Sequence, residues 1–229
     1  EDLLSQKMHS TGFAGIVYGA SGLGKTSLMA STAARTIEKK QKVCYVSHEL
    51  VLPQFLDALQ LNLKISVQYN QYVLAVTLPM DVRYRKYYKK IPLKTPLKTV
   101  QLESQYTQFH LLDVILHLQE TEGCNLFLFD SIDDLDPFRI EEGVLDRYHV
   151  NQFTYSLMSN GITTAFTSVY NHQIQADTRI ELKQVHEMGG QLQRVAIIHK
   201  GIRPSQSKEY INYQVHGLIT FDYSTARII

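Results

Sequence analysis

The sequence predicts an α/β protein. Its core is a mostly parallel sheet flanked by helices on both faces, and antiparallel β-hairpins extend it at the C-terminus. Three observations lead there. Apolar runs of strand length are continuous rather than alternating, as strands buried on both faces require. Between residues 13 and 169 these runs alternate with amphipathic helical stretches. After residue 178, four strand-like runs follow one another with no helical pattern between them, which is the pattern of hairpins.

The elements follow in order. Phe13–Tyr18 is the first apolar run, and a glycine-rich stretch, 19–27, comes directly after it. From Thr26 to Glu38 the chain is Ala-rich, with Leu28, Met29, Ala33 and Ile37 at helical spacing. Lys42–Ser47 contains a buried strand around Val43-Cys44-Tyr45-Val46. Pro53 opens a helix that runs through Leu63, with Phe55, Leu56 and Leu59 on one side. Tyr72–Leu78 reads as a strand. Gln105–Glu120 reads as a helix carrying Phe109, Leu112, Ile115 and Leu116, ended by Gly123. Leu126–Asp130 is a continuous apolar strand. Val144–Asn160 is a helix stopped by Gly161, and Ile162–Val169 is the next strand. The closing runs are Arg179–His186, Gln193–Lys200, Glu209–Val215 and Leu218–Asp222, separated by Gly189-Gly190, a polar loop and His216-Gly217.

The 229 residues suit one domain, 1–229, large enough to bury a full core. Lys plus Arg is 23 and Asp plus Glu is 22, a net charge of +1, so no global field draws the chain to nucleic acid or an anionic membrane. Hydrophobic content of 44% with 20% charged residues excludes a wholly disordered chain. No apolar run reaches the roughly 18 residues of a membrane span. The chain opens on Glu1-Asp2, without the basic-then-apolar start of a signal peptide. Cys44 and Cys124 form no CxxC pair and read as buried thiols in a reducing compartment, the cytoplasm. Residues 83–98 carry seven Lys/Arg, no acid, and Tyr84, Tyr87 and Tyr88. This is a solvated loop by preference; stacking on single-stranded nucleic acid and a protein contact are the alternatives. Residues 130–146 carry seven acids against Arg139 and read as a solvated loop after a strand, or as the counterpart of a neighbouring subunit's basic loop.

Chemistry enters at Gly19-Ala20-Ser21-Gly22-Leu23-Gly24-Lys25-Thr26-Ser27, a full G-x-x-x-x-G-K-[ST] between a strand and a helix. Glycines let the loop curl so that backbone N–H groups converge on phosphate oxygens, and the helix N-terminus adds partial positive charge. Lys25 is expected on the β- and γ-phosphates of ATP, and the Thr26 hydroxyl on Mg²⁺. Asp130 closes an apolar strand, as a Walker B carboxylate does; Asp133, Asp134 and Asp136 compete for the role. Glu49, just past strand 43–47, is the candidate that activates water at the γ-phosphate, on the expectation that this strand neighbours the P-loop strand. His48-Glu49 does not begin a zinc motif, because position 52 is Leu. The nine histidines form no ligand-like cluster.

Lys25, Glu49 and Asp130 in this order resemble the RecA superfamily, and within it the KaiC-like ATPases, over nearly the whole chain. Glu1-Asp2-Leu3-Leu4 resembles the end of their leading L-D-x-L-L segment, and the resemblance implies a natural N-terminus further upstream. Val43–Leu50 is similar to their strand ending in S-x-E-E, with His48 in place of the first glutamate. Phe127–Leu135 resembles their D-S-[IL] Walker B, Asp177–Val185 their D-x-I-I-x-L strand, Arg194–Lys200 the strand after it, and Val215–Phe221 the closing I-x-x-x-G-[IL] strand. The resemblance implies a RecA-type P-loop fold and Mg-dependent ATP hydrolysis. It also implies nucleotide at the interfaces of a homo-oligomer, most simply a hexamer, and a role in regulation or signalling with a protein partner.

The family's trans-acting K-x-R corresponds here to Lys200-Gly201-Ile202-Arg203, one residue longer, so Lys200 matches and Arg203 is a candidate finger. The adjacent Ser-Thr of clock-type members corresponds to Gln173-Ile174-Gln175-Ala176, which has no hydroxyl, and autokinase activity is not expected. A nucleotide-gated scaffold with little hydrolysis and a DnaB- or RecA-like DNA motor using 83–98 are the rival functions.

Overall fold

The structure, a computed structural model, describes residues 12–48, 50–63, 68–79, 97–103, 105–141, 144–186, 192–200, 208–215 and 219–228. Its strands are β1 (Ala14–Tyr18), β2 (Lys42–His48), β3 (Val73–Leu78), β4 (Lys98–Gln101), β5 (Cys124–Asp130), β6 (Arg139–Glu141), β7 (Val144–Leu145), β8 (Thr163–Ser168), β9 (Thr178–His186), β10 (Leu192–Lys200), β11 (Lys208–Val215) and β12 (Ile219–Ile228). Among the described residues, four α-helices accompany them: α1 (Lys25–Glu38), α2 (Leu52–Asn62), α3 (Gln108–Glu122) and α4 (Arg147–Ser159).

Ten of the described strands form one sheet in the order β12-β11-β10-β9-β1-β8-β5-β2-β3-β4. Pairings from β9 through β4 are parallel, and β9 to β12 pair antiparallel. This is a RecA-type α/β fold with the antiparallel C-terminal extension that the sequence predicts.

Alternation along each strand builds two cores. On β5, Leu126 and Leu128 face one cluster, shared with Met29, Ile37, Phe55 and Leu59 of α1 and α2. Phe127 and Phe129 face the other, shared with Leu111, Ile115, Phe153 and Leu157 of α3 and α4. Phe129 stacks on Phe166 with ring centroids 4.8 Å apart, and Tyr45 on Phe55 at 3.7 Å. Both cysteines are buried free thiols. Among the described residues, no helix is long and apolar enough to cross a membrane.

Several expectations need correction. Strand β2 does not neighbour the P-loop strand: β8 and β5 lie between it and β1. Regular winding would add strands in chain order, but β8 and β9 enter the sheet on either side of β1. The third helix starts at Gln108 rather than Gln105. Gln105 has φ +86°, and Thr107 caps the helix by accepting from His110 N–H at 3.2 Å while His110 Nδ1 accepts from Thr107 N–H. The fourth starts at Arg147, because Asp146 accepts the N–H groups of Tyr148 and His149, while Val144–Leu145 pairs with β6. Segment 130–146 is not simply solvated: Ile132, Leu135, Phe138 and Leu145 are buried. The sequence reading missed β4, whose four residues are mostly exposed and carry no apolar run. Most of the basic stretch lies outside the described residues; within it, Lys98 pairs with Glu122 of α3.

Candidate phosphate-binding site

Strand β1 is buried along its length and ends at Tyr18, so the chain must turn at the C-terminal edge of the sheet. Gly19 makes that turn close-packed: a Cβ there would stand 2.3 Å from the Leu182 carbonyl oxygen of β9. Its N–H donates to the Ser168 carbonyl of β8 at 3.2 Å. Gly22 and Gly24 have φ of +79° and +93°, the left-handed region that only glycine enters at little cost. Helix α1 starts immediately after, with Gly24 as N-cap and no side-chain cap, so its first N–H groups are left for a ligand.

Lys25 Nζ donates to the carbonyls of Gly19 at 2.7 Å and Ala20 at 3.0 Å, which keeps the ammonium over the loop. Burial pulls its pKa below the ordinary lysine value, against the attraction of Asp130 and Asp133. Thr26 Oγ1, one residue on, donates to Asp130 Oδ2 at 2.7 Å across 104 positions of sequence. Asp130 is 5% exposed and also accepts from the Tyr45 hydroxyl at 2.7 Å and Thr167 Oγ1 at 2.6 Å. Its carboxylate thus sits among hydroxyls of α1, β2 and β8. Burial and the neighbouring Asp130 push the Tyr45 pKa up, so the phenol stays a donor.

Behind this layer, Asp133 accepts from His172 Nε2 at 2.6 Å, Val169 N–H at 2.7 Å, Ser131 Oγ at 2.9 Å and Ser168 Oγ at 3.0 Å. Burial pushes the Asp133 pKa up, but these donors together outweigh it and hold the carboxyl below the usual range. Because the folded pKa is depressed, the stabilisation is complete above the unfolded carboxylate value, near ~3.9, and is lost as pH falls through the folded value. Asp133→Asn is therefore expected to lower stability at pH 7 and to flatten the acid limb of the stability curve below about pH 4. Urea midpoints measured against pH check this; parallel curves for the two proteins would refute it.

The other expected residues divide. Ala20 and Ser21 are exposed at the loop tip, Leu23 is buried and Ser27 is half-buried in the first turn of α1. Of the rival carboxylates, Asp134 lies 4.0 Å from His48 Nε2 and Asp136 pairs with Arg139. Glu49 and Arg203 fall outside the described residues; Lys200 ends β10 and its side chain falls outside them.

Sequence reasoning missed Tyr45, Thr167, His172 and Tyr213. Tyr45 and Thr167 occur inside strands, where they read as core or as β-formers. Their common signal is a polar group near the C-terminal end of a parallel strand. Tyr213 and Val215 of β11 touch the loop at Leu23 and Gly24. They also line a groove of about 810 Å³ with Gln184, Arg194, Asn212 and Phe221.

The donor set fits a hard divalent cation that keeps most of its ligands from phosphate and water: one hydroxyl and one carboxylate, converging at 2.7 Å. Among the described residues, no cluster of three or more His, Cys, Asp or Glu could hold a metal by itself.

Comparison with known proteins agrees with the fold. The family model of the bacterial DnaA ATPase domain matches residues 6–91, the part that holds the glycine-rich loop. Among solved structures, the chain is similar to a KaiC-like protein of the hyperthermophilic archaeon Pyrococcus horikoshii OT3. The TM-score is 0.63 and the identity 15%, over 93% of this chain and 90% of that one. No curated protein matches the sequence.

Proposed function

We propose that this RecA-type P-loop domain, KaiC-like in fold, binds ATP with Mg²⁺ and hydrolyses it. The observation that carries the reading is the Thr26–Asp130 contact at 2.7 Å beside Lys25, which brings hydroxyl, carboxylate and ammonium together at the glycine turn. Lys25 leaves the Gly19 and Ala20 carbonyls to neutralise the β- and γ-phosphates. The N–H groups of the loop and of the first turn of α1 donate to phosphate oxygens. Thr26 and Asp130 would hold Mg²⁺, which supplies charge neutralisation between the phosphates. Glu49 takes the proton of the attacking water; it follows β2, which borders not β1 but β5, with Ser47 in register with Asp130.

The wider reading follows from the resemblance. Residues 1–229 act as one ATPase domain in the cytoplasm, in a homo-oligomer whose sites lie between copies. Lys200 and Arg203 reach the nucleotide of the adjacent copy, where such a finger contributes roughly 10³–10⁵ in rate. The role is regulation or signalling through a protein partner.

Calorimetry with ATP, with and without Mg²⁺, tests the core of this, with phosphate release and solution mass followed in parallel. Saturable heat and Mg-dependent phosphate release support it. Heat without turnover would leave a nucleotide-gated scaffold instead. No heat at millimolar ATP would refute both. Lys25→Ala removes a charge-assisted contact of about 1.5–3 kcal/mol, so ATP affinity is expected to fall at least about ten-fold while the protein stays folded.

A further inference from the structure

Two strands, β9 and β10, separate β11 from β1, yet β11 reaches the loop that follows β1. The Tyr213 hydroxyl donates to the Leu23 carbonyl at 3.0 Å, 190 residues apart in sequence. Val215 closes on the next residue: a Cβ on Gly24 would stand 2.7 Å from Val215 Cγ2. Tyr213 is 3% exposed and Leu23 5%, so water does not compete for this bond. Burial pushes the Tyr213 pKa up to about 12, and the hydroxyl keeps its proton throughout the neutral range.

The consequence follows from peptide geometry. In a planar trans peptide, the carbonyl of one residue and the N–H of the next point in opposite directions. A Leu23 carbonyl held toward β11 turns the Gly24 N–H away from β11. Gly24, at φ +93°, has no intrinsic preference that would hold that plane. We propose that Tyr213 is a positioning residue of the phosphate loop, aiming the Gly24 N–H through the Leu23 peptide, so that the antiparallel extension sets nucleotide affinity. This rests on the nucleotide-binding reading above and adds a control point to it. Coupling is reciprocal: whatever displaces β11 weakens ATP binding, and ATP binding steadies β11.

Tyr213→Phe removes the O–H alone. A bond of this kind contributes about 0.5–1.5 kcal/mol, so the Kd for ATP is expected to rise roughly 2–13-fold. Ile211→Val is the control. Ile211 lies on the same strand, is 2% exposed, and lines a separate apolar pocket with Leu28 and Ile180. It costs a similar amount of stability, about 0.5–1.5 kcal/mol, and should leave Kd unchanged. Amide exchange gives a readout independent of turnover: ATP should slow exchange in β11 of the wild type and not of Tyr213→Phe. If both variants shift Kd alike, or neither does, the positioning role is wrong while wild-type ATP heat leaves the nucleotide reading standing. Absence of that heat overturns both. Should Tyr213→Phe fail to fold, wild-type exchange decides, and an ATP effect confined to α1 with none in β11 overturns the proposal.

Discussion

Glu49→Gln is expected to abolish steady-state phosphate release while leaving the calorimetric Kd for ATP within about two-fold. The substitution keeps size and shape but replaces a carboxylate, which can take a proton from water, with an amide, which cannot. General-base assistance contributes typically 10²–10⁴ in rate, so residual turnover should be at most about one per cent. Binding depends on other groups: the loop N–H groups, Lys25 and Thr26. The measurement is kcat by phosphate release beside Kd by calorimetry on the same preparation. A variant that hydrolyses at the wild-type rate would remove Glu49 from the mechanism and leave the phosphate site intact. A variant that loses binding as well would mean that the side chain shapes the pocket rather than the chemistry.

Asp130→Ala has the second large effect, and it acts on stability and chemistry together. Three hydroxyls, on Thr26, Tyr45 and Thr167, donate to this one carboxylate. Removing it leaves buried donors without an acceptor, at about 1–3 kcal/mol for each that cannot find another. Tyr45 is fully buried and stacked on Phe55, so its ring cannot swing toward water. Relief of a buried charge offsets part of the loss, and a net destabilisation of about 2–4 kcal/mol is expected. A urea midpoint measures it. Asp130→Asn keeps one carbonyl acceptor and should fall between the wild type and the alanine variant in stability. Both variants should lose the dependence of phosphate release on Mg²⁺. Wild-type stability together with wild-type Mg²⁺ dependence in Asp130→Ala would contradict the role given to this carboxylate.

Much of the fold was legible because it is written locally. A short unbroken apolar run such as Leu126–Phe129, set off by Gly123 and Asp130, reads as a strand covered on both faces, and it is one. The loop 19–27 was legible for the same reason: positive φ at Gly22 and Gly24 is a property of the residues themselves. Boundaries failed where capping decided them, as at Thr107 and Asp146, since a cap depends on which side chain meets which N–H. Segment 130–146 was misread because its acids outnumber its apolar residues. Yet Ile132, Leu135 and Phe138 join the core cluster, and Asp130 and Asp133 are drawn in with them by hydroxyl, imidazole and N–H donors.

Within the site, the sequence alone marked Lys25 and Thr26 from one motif and Asp130 from another, and the tertiary structure puts Thr26 and Asp130 in contact. Tyr45, Thr167 and Tyr213 belong to no motif, and only the sheet order reveals them.

What the chain determined by itself, then, was its alternation of strands and helices, its antiparallel tail and its glycine turn, because periodicity and backbone freedom act over a few residues. What tertiary structure decided was that β8 and β9 flank β1, that three hydroxyls meet at Asp130, and that Tyr213 holds Leu23. Those contacts depend on which strands share edges. Edge sharing is settled by burying two faces of one sheet at once, a condition on the whole chain that no short window of sequence contains.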